Sequence, residues 1–246
     1  MQTSTYTPGY SAPILSFMEQ RTADTHAGFF LPQLMPGWSV LDAGCGPGTI
    51  TLGLARRVAP GLVTGIDVED SQFAKSREQA EREGLNVEFR KANVYQLPFQ
   101  DHCFDAVFSH ALLEHLSDAG AALTQLRRVL KPGGLIGLRA GDMGGILIDS
   151  ESEGPVQGLA TYLANREKNS GDPYVGRKLG RLLRKGGFTV ERMTASYDVI
   201  TETVLKIGPS LAAQVAAPNY CSLQDKAGND SLFVALAWCE AIGRAQ

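Results

Sequence analysis

The chain lacks any apolar run approaching the ~20 residues needed to span a bilayer. Its opening stretch, Met1 to Phe17, has no basic segment followed by a long apolar one. These absences predict a cytoplasmic protein with no membrane partner. Cysteine is scarce: the four residues Cys45, Cys103, Cys221 and Cys239 show no C-x-x-C spacing. Neither a disulfide framework nor a metal site is expected, and packed thiols suffice. An excess of one charge is also missing, since 23 basic residues face 26 acidic ones for a net charge of -3. That balance leaves no electrostatic footprint for a nucleic-acid backbone, so nucleic acid is disfavoured as the main partner. No internal repeat or low-complexity tract is visible, and nothing in the sequence sets an oligomeric state.

What is present suits one sizeable core: 246 residues with 43% hydrophobic content. Short β-rich runs alternate with helical ones. Strands are expected at Trp38–Asp42, Leu62–Asp67, Asn86–Asn93, Phe104–Ser109 and Leu135–Ala140. Helices are expected at Ile50–Val58, Phe73–Glu83 and Ala119–Leu130. Such alternation implies right-handed crossovers and a doubly wound α/β sheet covered on both faces. After Gly141 the pattern changes. "GDMGG" (Gly141–Gly145) reads as a flexible turn, followed by helices at Val156–Lys168 and Pro173–Lys185 that form a cap over the sheet edge. Asp172 is the expected N-cap of the second, with Pro173 at its first position. Phe188–Ile200 and Asp230–Cys239 read as two closing strands, antiparallel neighbours. The expected organisation is a single domain: a helical lid at 1–37, a core at 38–140, cap helices at 141–186 and closing strands at 187–246.

The stretch "LDAGCGPGT" (Leu41–Thr49) places Gly44, Gly46 and Gly48 in the first strand-helix turn. In an open parallel sheet that turn is the usual ligand cradle, where a Cβ would block close approach. A dinucleotide fingerprint reads G-x-G-x-x-G, whereas this loop reads G-x-G-x-G and has Thr49 at the third dinucleotide glycine position. Asp42, two residues before Gly44, would repel a pyrophosphate and attract an ammonium group. Asp67 ends the second strand, where a carboxylate can accept both hydroxyls of a ribose. A ribose-bearing ligand with a cationic amino-acid end fits all of these. Glycines serving packing alone are the bland alternative. A nicotinamide-dependent oxidoreductase is a second enzymatic one, and a cofactor-binding module without transfer activity a third.

"LDAGCGPGT", "GIDV" (Gly65–Val68), "LPFQDHCFDAVFSHALLEHL" (Leu97–Leu116) and "RVLKPGG" (Arg128–Gly134) together resemble the motif series of the class I S-adenosylmethionine-dependent methyltransferases. The likeness is strongest to the type 11 or UbiE-like branch, which acts mostly on small molecules. The resemblance covers about residues 38 to 140. It implies a Rossmann-like sheet of order 3-2-1-4-5-7-6 with strand 7 antiparallel, S-adenosyl-L-methionine as cofactor and S-adenosyl-L-homocysteine as product. It also implies that the glycine loop lies against the methionine part, that Asp67 holds the ribose, and that Val68 and Glu69 flank the adenine. Where the family usually has an acidic residue toward the adenine amine, this chain has Asn93, followed by Val94; an asparagine carbonyl can still accept, without charge assistance. The expected cofactor contacts are Asp42, Gly44, Gly46, Gly48, Asp67, Val68, Asn93, Val94 and Ser109.

Methyl transfer from a sulfonium needs alignment and exclusion of water more than a catalytic side chain. His110, directly after the fourth strand, is the candidate general base, with shaping of the pocket as its plainer role. Glu114, four residues on, is expected on the same helical face, where it can orient His110. Tyr10, Asp142 and Met143 join them as candidate acceptor-lining residues. His115 reads as scaffold and His102 as a solvated turn residue, and His26 reaches the site only if the N-terminal segment folds over it. Arg177, Lys178, Arg181, Arg184 and Lys185 read as a solvated helix face. An arsenite methyltransferase is disfavoured, because its thiols would have to converge from distant segments.

Overall fold

In the computed structural model the described residues are 12–150, 153–200 and 233–246. Tyr10 and Cys221 lie outside them, as do residues 1–11 of the expected 1–37 lid and residues 230–232 of the expected second closing strand.

The chain order is α1 (Ala12–Glu19), α2 (Ala23–His26), β1 (Val40–Ala43), α3 (Thr49–Val58), β2 (Val63–Asp67), α4 (Phe73–Glu83), β3 (Val87–Lys91), β4 (Phe104–His110), α5 (Ala119–Val129), β5 (Leu130–Gly141), β6 (Leu147–Asp149), α6 (Gly154–Lys168), α7 (Leu179–Lys185), β7 (Phe188–Ile200) and β8 (Phe233–Ala245). β1 pairs in parallel with β2 and β4, β2 with β3, and β4 with β5. β8 runs antiparallel beside β5 and then beside β7. The short β6 extends past the end of β5 and pairs with Phe233–Ala235 of β8. Counting it, the order is 3-2-1-4-5-8-7; without it this is the expected Rossmann-like 3-2-1-4-5-7-6, with its antiparallel strand in place. β6 had no sequence signal, because three residues carry no readable alternation.

Every residue of β1 is buried, as are Val63–Ile66 of β2, which suits strands covered on both faces. Side-chain alternation divides the core. Leu41, Val107, Ile136 and Leu138 pack with Leu123 and Leu126 of α5 and Leu179 and Leu183 of α7. Val40, Ala106, Phe108 and Leu135 face the other way, onto Ala23, Ala27, Phe30, Ile50 and Leu54. Phe30 stacks on Phe108 at 5.9 Å between ring centroids, so Phe30 is core, with the half-buried Phe29 packed against the same cluster.

Two local expectations need correction. The helix placed at 173–185 begins only at Leu179, after a 3-10 turn at Gly176–Lys178. Asp172 instead closes a turn by accepting from the Tyr174 N–H at 3.0 Å. The chain is held there by Arg177, whose backbone N–H and guanidinium both bind Asp142, at 2.9 and 2.7 Å. In consequence α7 packs on the sheet face beside α5 instead of capping an edge. The shared helical face of His110 and Glu114 is also absent. β4 runs on to His110, Ala111 takes φ +53, and only a 3-10 turn, Leu113–His115, follows.

Candidate functional site

The carboxyl ends of β1, β2 and β4 deliver Asp42, Asp67 and His110 to one cavity of about 300 Å³. Gly44, Val68, Gln72, Asn93, Val94 and His115 also line it, and Met18 and Arg21 close it from the N-terminal side. α1 and the turn after it therefore reach the cavity through these two side chains.

The turn after β1 is shaped by its glycines. Gly48 has φ +85, and a Cβ there would stand 2.5 Å from the Phe89 ring; Gly44 has φ +75 with Leu112 at 3.1 Å. Both constraints leave bare backbone against the cavity. The loop is tied to β2: Gly46 N–H donates to Asp67 Oδ2 at 2.9 Å, and Glu69 N–H donates to Oδ1 at 3.1 Å. Burial raises the Asp67 pKa, against the pull of those N–H donors. Asp42 is more deeply buried, and its one side-chain donor is Thr51, whose Oγ1–H donates to Oδ2 at 2.7 Å. Loss of hydration pushes its carboxyl up to about 7. A site that raises a carboxylate this way is prepared for a cation.

Gln72, just before α4, was missed from the sequence. It is buried in the cavity wall with neither amide atom hydrogen-bonded. Its only sequence signal is a polar residue at the start of a helix, which is ordinarily a surface feature. Asn93 differs: its Oδ1 accepts from the Tyr95 N–H at 2.9 Å, so part of its acceptor capacity serves the turn.

A family model described as a methyltransferase domain matches residues 40–134, the segment that builds this cavity. An uncharacterized methyltransferase of Schizosaccharomyces pombe is 36% identical over 145 residues, 56% of this chain and 52% of that protein. The ubiquinone/menaquinone biosynthesis C-methyltransferase UbiE of Brucella abortus is 35% identical over 114 residues, covering 45% of this chain and 42% of that one. Residues 40–134 thus carry a methyltransferase domain, and the chain is similar over that segment to S-adenosylmethionine-dependent methyltransferases. It spans about half the length of the curated relatives it matches. The methyltransferase fold extends over most of the chain: the YcgJ protein of Bacillus subtilis, 19% identical, aligns with 89% of this chain and 97% of its own at a TM-score of 0.65.

The other sequence candidates sit around the cavity with distinct partners. Ser109 points its hydroxyl away, donating to Ala43 O at 2.9 Å and joining β4 to β1. Gly46 and Gly48 shape the loop, although neither is in the cavity lining among the described residues. Asp142 is committed to Arg177 and to the Gly144 N–H, capping the 3-10 turn Met143–Gly145. Met143 N–H donates to Pro173 O at 2.9 Å. Glu114 is buried, with Oε1 accepting from the Gly141 N–H at 3.3 Å and Oε2 without a partner. Burial raises its pKa while the Arg166 charge lowers it. His115 lies against Arg166, with Nη1 at 3.2 Å from its Nδ1.

His110 is buried and neither ring nitrogen has a hydrogen-bond partner. Its ring centroid lies 5.0 Å from that of His26 and 4.9 Å from that of Trp238. Burial first, then the charges of Arg21 and Arg139, hold its pKa well below the usual imidazole range. At neutral pH it is an uncharged base facing the cavity. Among the described residues no group of acidic, cysteine or histidine side chains is arranged to hold a metal ion, and no helix is long and apolar enough to cross a membrane.

Proposed function

We propose that this chain transfers a methyl group from S-adenosyl-L-methionine to an oxygen, nitrogen or carbon nucleophile of a small organic metabolite in the cytoplasm, with secondary metabolism as its setting. The observation that carries the reading is the cavity, which joins a carboxylate raised to about 7, a loop of bare backbone and an unpartnered buried amide. Those residues fit the cofactor. Asp42 would hold the amino-acid ammonium, Gly44, Gly46 and Gly48 keep side chains away from the methionine part, and Asp67 takes the ribose hydroxyls. Val68, Glu69, Asn93 and Val94 flank the base, Gln72 adds an amide contact, and Ser109 braces β4 against the loop. When bound, the cofactor supplies a methyl on a sulfonium.

The protein then has to align the acceptor and keep water out. His110, neutral and unpaired at the cavity wall, takes the proton the nucleophile gives up. Glu114, Asp142 and Met143 are assigned with it to the acceptor wall, Asp142 through the turn it caps. The position of Met18 and Arg21 supports α1 and the turn after it as a lid over the core at 38–140, with 141–186 and the closing strands completing one domain.

Calorimetric titration of wild type and Asp67→Ala with S-adenosylmethionine, S-adenosylhomocysteine and NAD tests this. Binding of both adenosyl compounds but not NAD, weakened by Asp67→Ala, is expected. Binding of NAD with no response to either adenosyl compound would overturn it.

A further inference from the structure

Among the described residues, His110 has one side chain against it that can take up a proton. Its ring meets His26 at 5.0 Å and Trp238 at 4.9 Å between centroids, and the charges of Arg21 and Arg139 act on it. Indole and guanidinium groups only donate, and the Arg139 guanidinium is itself set over the Trp238 ring, 4.4 Å from its centre. Glu114 turns its carboxyl to the Gly141 N–H and the charge of Arg166. His26 is different. A neutral imidazole has one lone pair and one N–H, so it can take a proton on one nitrogen and release one from the other.

The far side of His26 faces water. Its Nδ1 lies 2.6 Å from Thr25 Oγ1, which lies 2.8 Å from Thr22 Oγ1, and both threonines are exposed. Its Nε2 lies 3.7 Å from Asp198 Oδ2, on a side chain 38% exposed, while Asp198 Oδ1 accepts from Arg139 Nη2 at 2.8 Å. The ring is held in place by α2, whose Ala23 is packed into the core on the same sheet face as Phe108. Neither nitrogen of His110 has a hydrogen-bond partner, so the two rings touch without being bonded. At a centroid distance of 5.0 Å, however, ring nitrogens turned toward each other stand within hydrogen-bond reach. Burial first, and the charges of Arg21 and Arg139 after it, lower the pKa of both rings, so neither retains a proton at neutral pH.

Methyl transfer leaves a proton to remove. As the nucleophile bonds to the methyl carbon, the carbon–sulfur bond breaks, its electron pair stays on sulfur, and the nucleophile's proton passes to His110. With cofactor and acceptor in the cavity and Met18 and Arg21 across it, the cavity side of His110 is shut to water. We propose that His26 carries this proton from His110 to solvent, past the Thr25 hydroxyl or the Asp198 carboxylate, and so returns His110 to its neutral form for the next turnover. The inference rests on the reading of His110 as the base. His26 touches no reacting atom and acts through His110.

The test needs no acceptor. In the full chain, labelled with ¹⁵N-histidine and saturated with S-adenosylhomocysteine, NMR measures exchange of the His110 ring N–H with water at neutral pH. In His26→Phe, which keeps a ring against His110 but cannot take a proton, exchange should slow by about tenfold or more while S-adenosylhomocysteine affinity is unchanged. In His26→Ala exchange should also slow, and added imidazole should restore it where pyrrole, of the same shape without a basic nitrogen, does not. Exchange unaltered in His26→Phe, or restored equally by pyrrole, would overturn the inference and leave the methyltransferase reading standing. Should both His26 variants fail to fold, Asp198→Asn combined with Thr25→Val leaves the two rings in the chain and decides: slower exchange supports the relay and unaltered exchange overturns it. Failure of S-adenosylhomocysteine to bind wild type would overturn the cofactor reading and this inference with it.

Discussion

The imidazoles of His26, at the end of α2, and His110, at the end of β4, lie 5.0 Å apart on one side of the sheet. The capping box of Thr22 and Thr25 starts α2, and Thr25 Oγ1 sits 2.6 Å from His26 Nδ1, so the first histidine is held by its own helix. Burial lowers the His26 pKa to about 4, reinforced by Arg139 and Arg21 and opposed by Asp198. Both rings are therefore neutral at pH 7.

An NMR titration should find the His26 midpoint near 4, with His110 uncharged well below its ordinary value. Because the unfolded chain binds protons at these histidines from about pH 6.5 downward and the folded chain does not, stability should fall as pH drops from about 6.5 toward 4. A folded-state midpoint near 6.5 for His110 would contradict its burial. With acceptor in hand, kcat/KM should show no inflection from His110 between about pH 5 and 8.

Asp42 should make cofactor binding pH-dependent. Its carboxyl, raised to about 7, must be ionised to pair with an ammonium, so S-adenosylhomocysteine affinity should weaken by up to about tenfold per pH unit below 7. Asp42→Asn should flatten that slope and weaken binding at pH 8. The raised pKa also costs stability as pH rises from the unfolded value of 3.8 through 7, since charging is harder in the folded state. Asp42→Asn, which keeps an acceptor for Thr51, should therefore raise stability at pH 8 by at most about 4 kcal/mol. Calorimetric and thermal titrations across pH check both.

Gln72→Leu should separate binding from folding. Leucine removes two unpartnered buried polar atoms and should leave stability unchanged or raise it by about 1 kcal/mol. S-adenosylhomocysteine affinity should fall by about fivefold or more, the loss of roughly one hydrogen bond. Unaltered affinity would remove Gln72 from the cofactor contacts.

Gly48→Ala should cost about 2–4 kcal/mol, because the residue has positive φ and its Cβ would collide with the Phe89 ring. Gly84 has φ +64 with open space around it, and Gly84→Ala should cost only about 1 kcal/mol. Denaturant midpoints of the two variants isolate the steric part.

The sequence was most legible where chemistry and backbone are local. "FAKSREQAERE" reads as a helix and forms one over Phe73–Glu83, ended by Gly84 in the left-handed region. "LDAGCGPGT" carries its own turn geometry. Legibility failed where a distant partner intervened. Pro173 and Asp172 have the makings of a helix start, yet the Asp142–Arg177 pair holds the segment in a turn and delays the helix to Leu179. Glu114 has the spacing of a helical neighbour of His110, yet the chain bends at Ala111 and its carboxyl accepts from Gly141 on β5.

By itself the sequence determined the alternation of strands and helices, the glycine turn and the acids at the strand ends, because apolar periodicity and glycine backbone preference act over a few residues. Only the tertiary structure decided that His26 meets His110, that Arg139 lies over Trp238, and that Gln72 is buried in the cavity wall. Those contacts join segments far apart in the chain, where burial and the supply of hydrogen-bond partners are set by packing of the whole sheet.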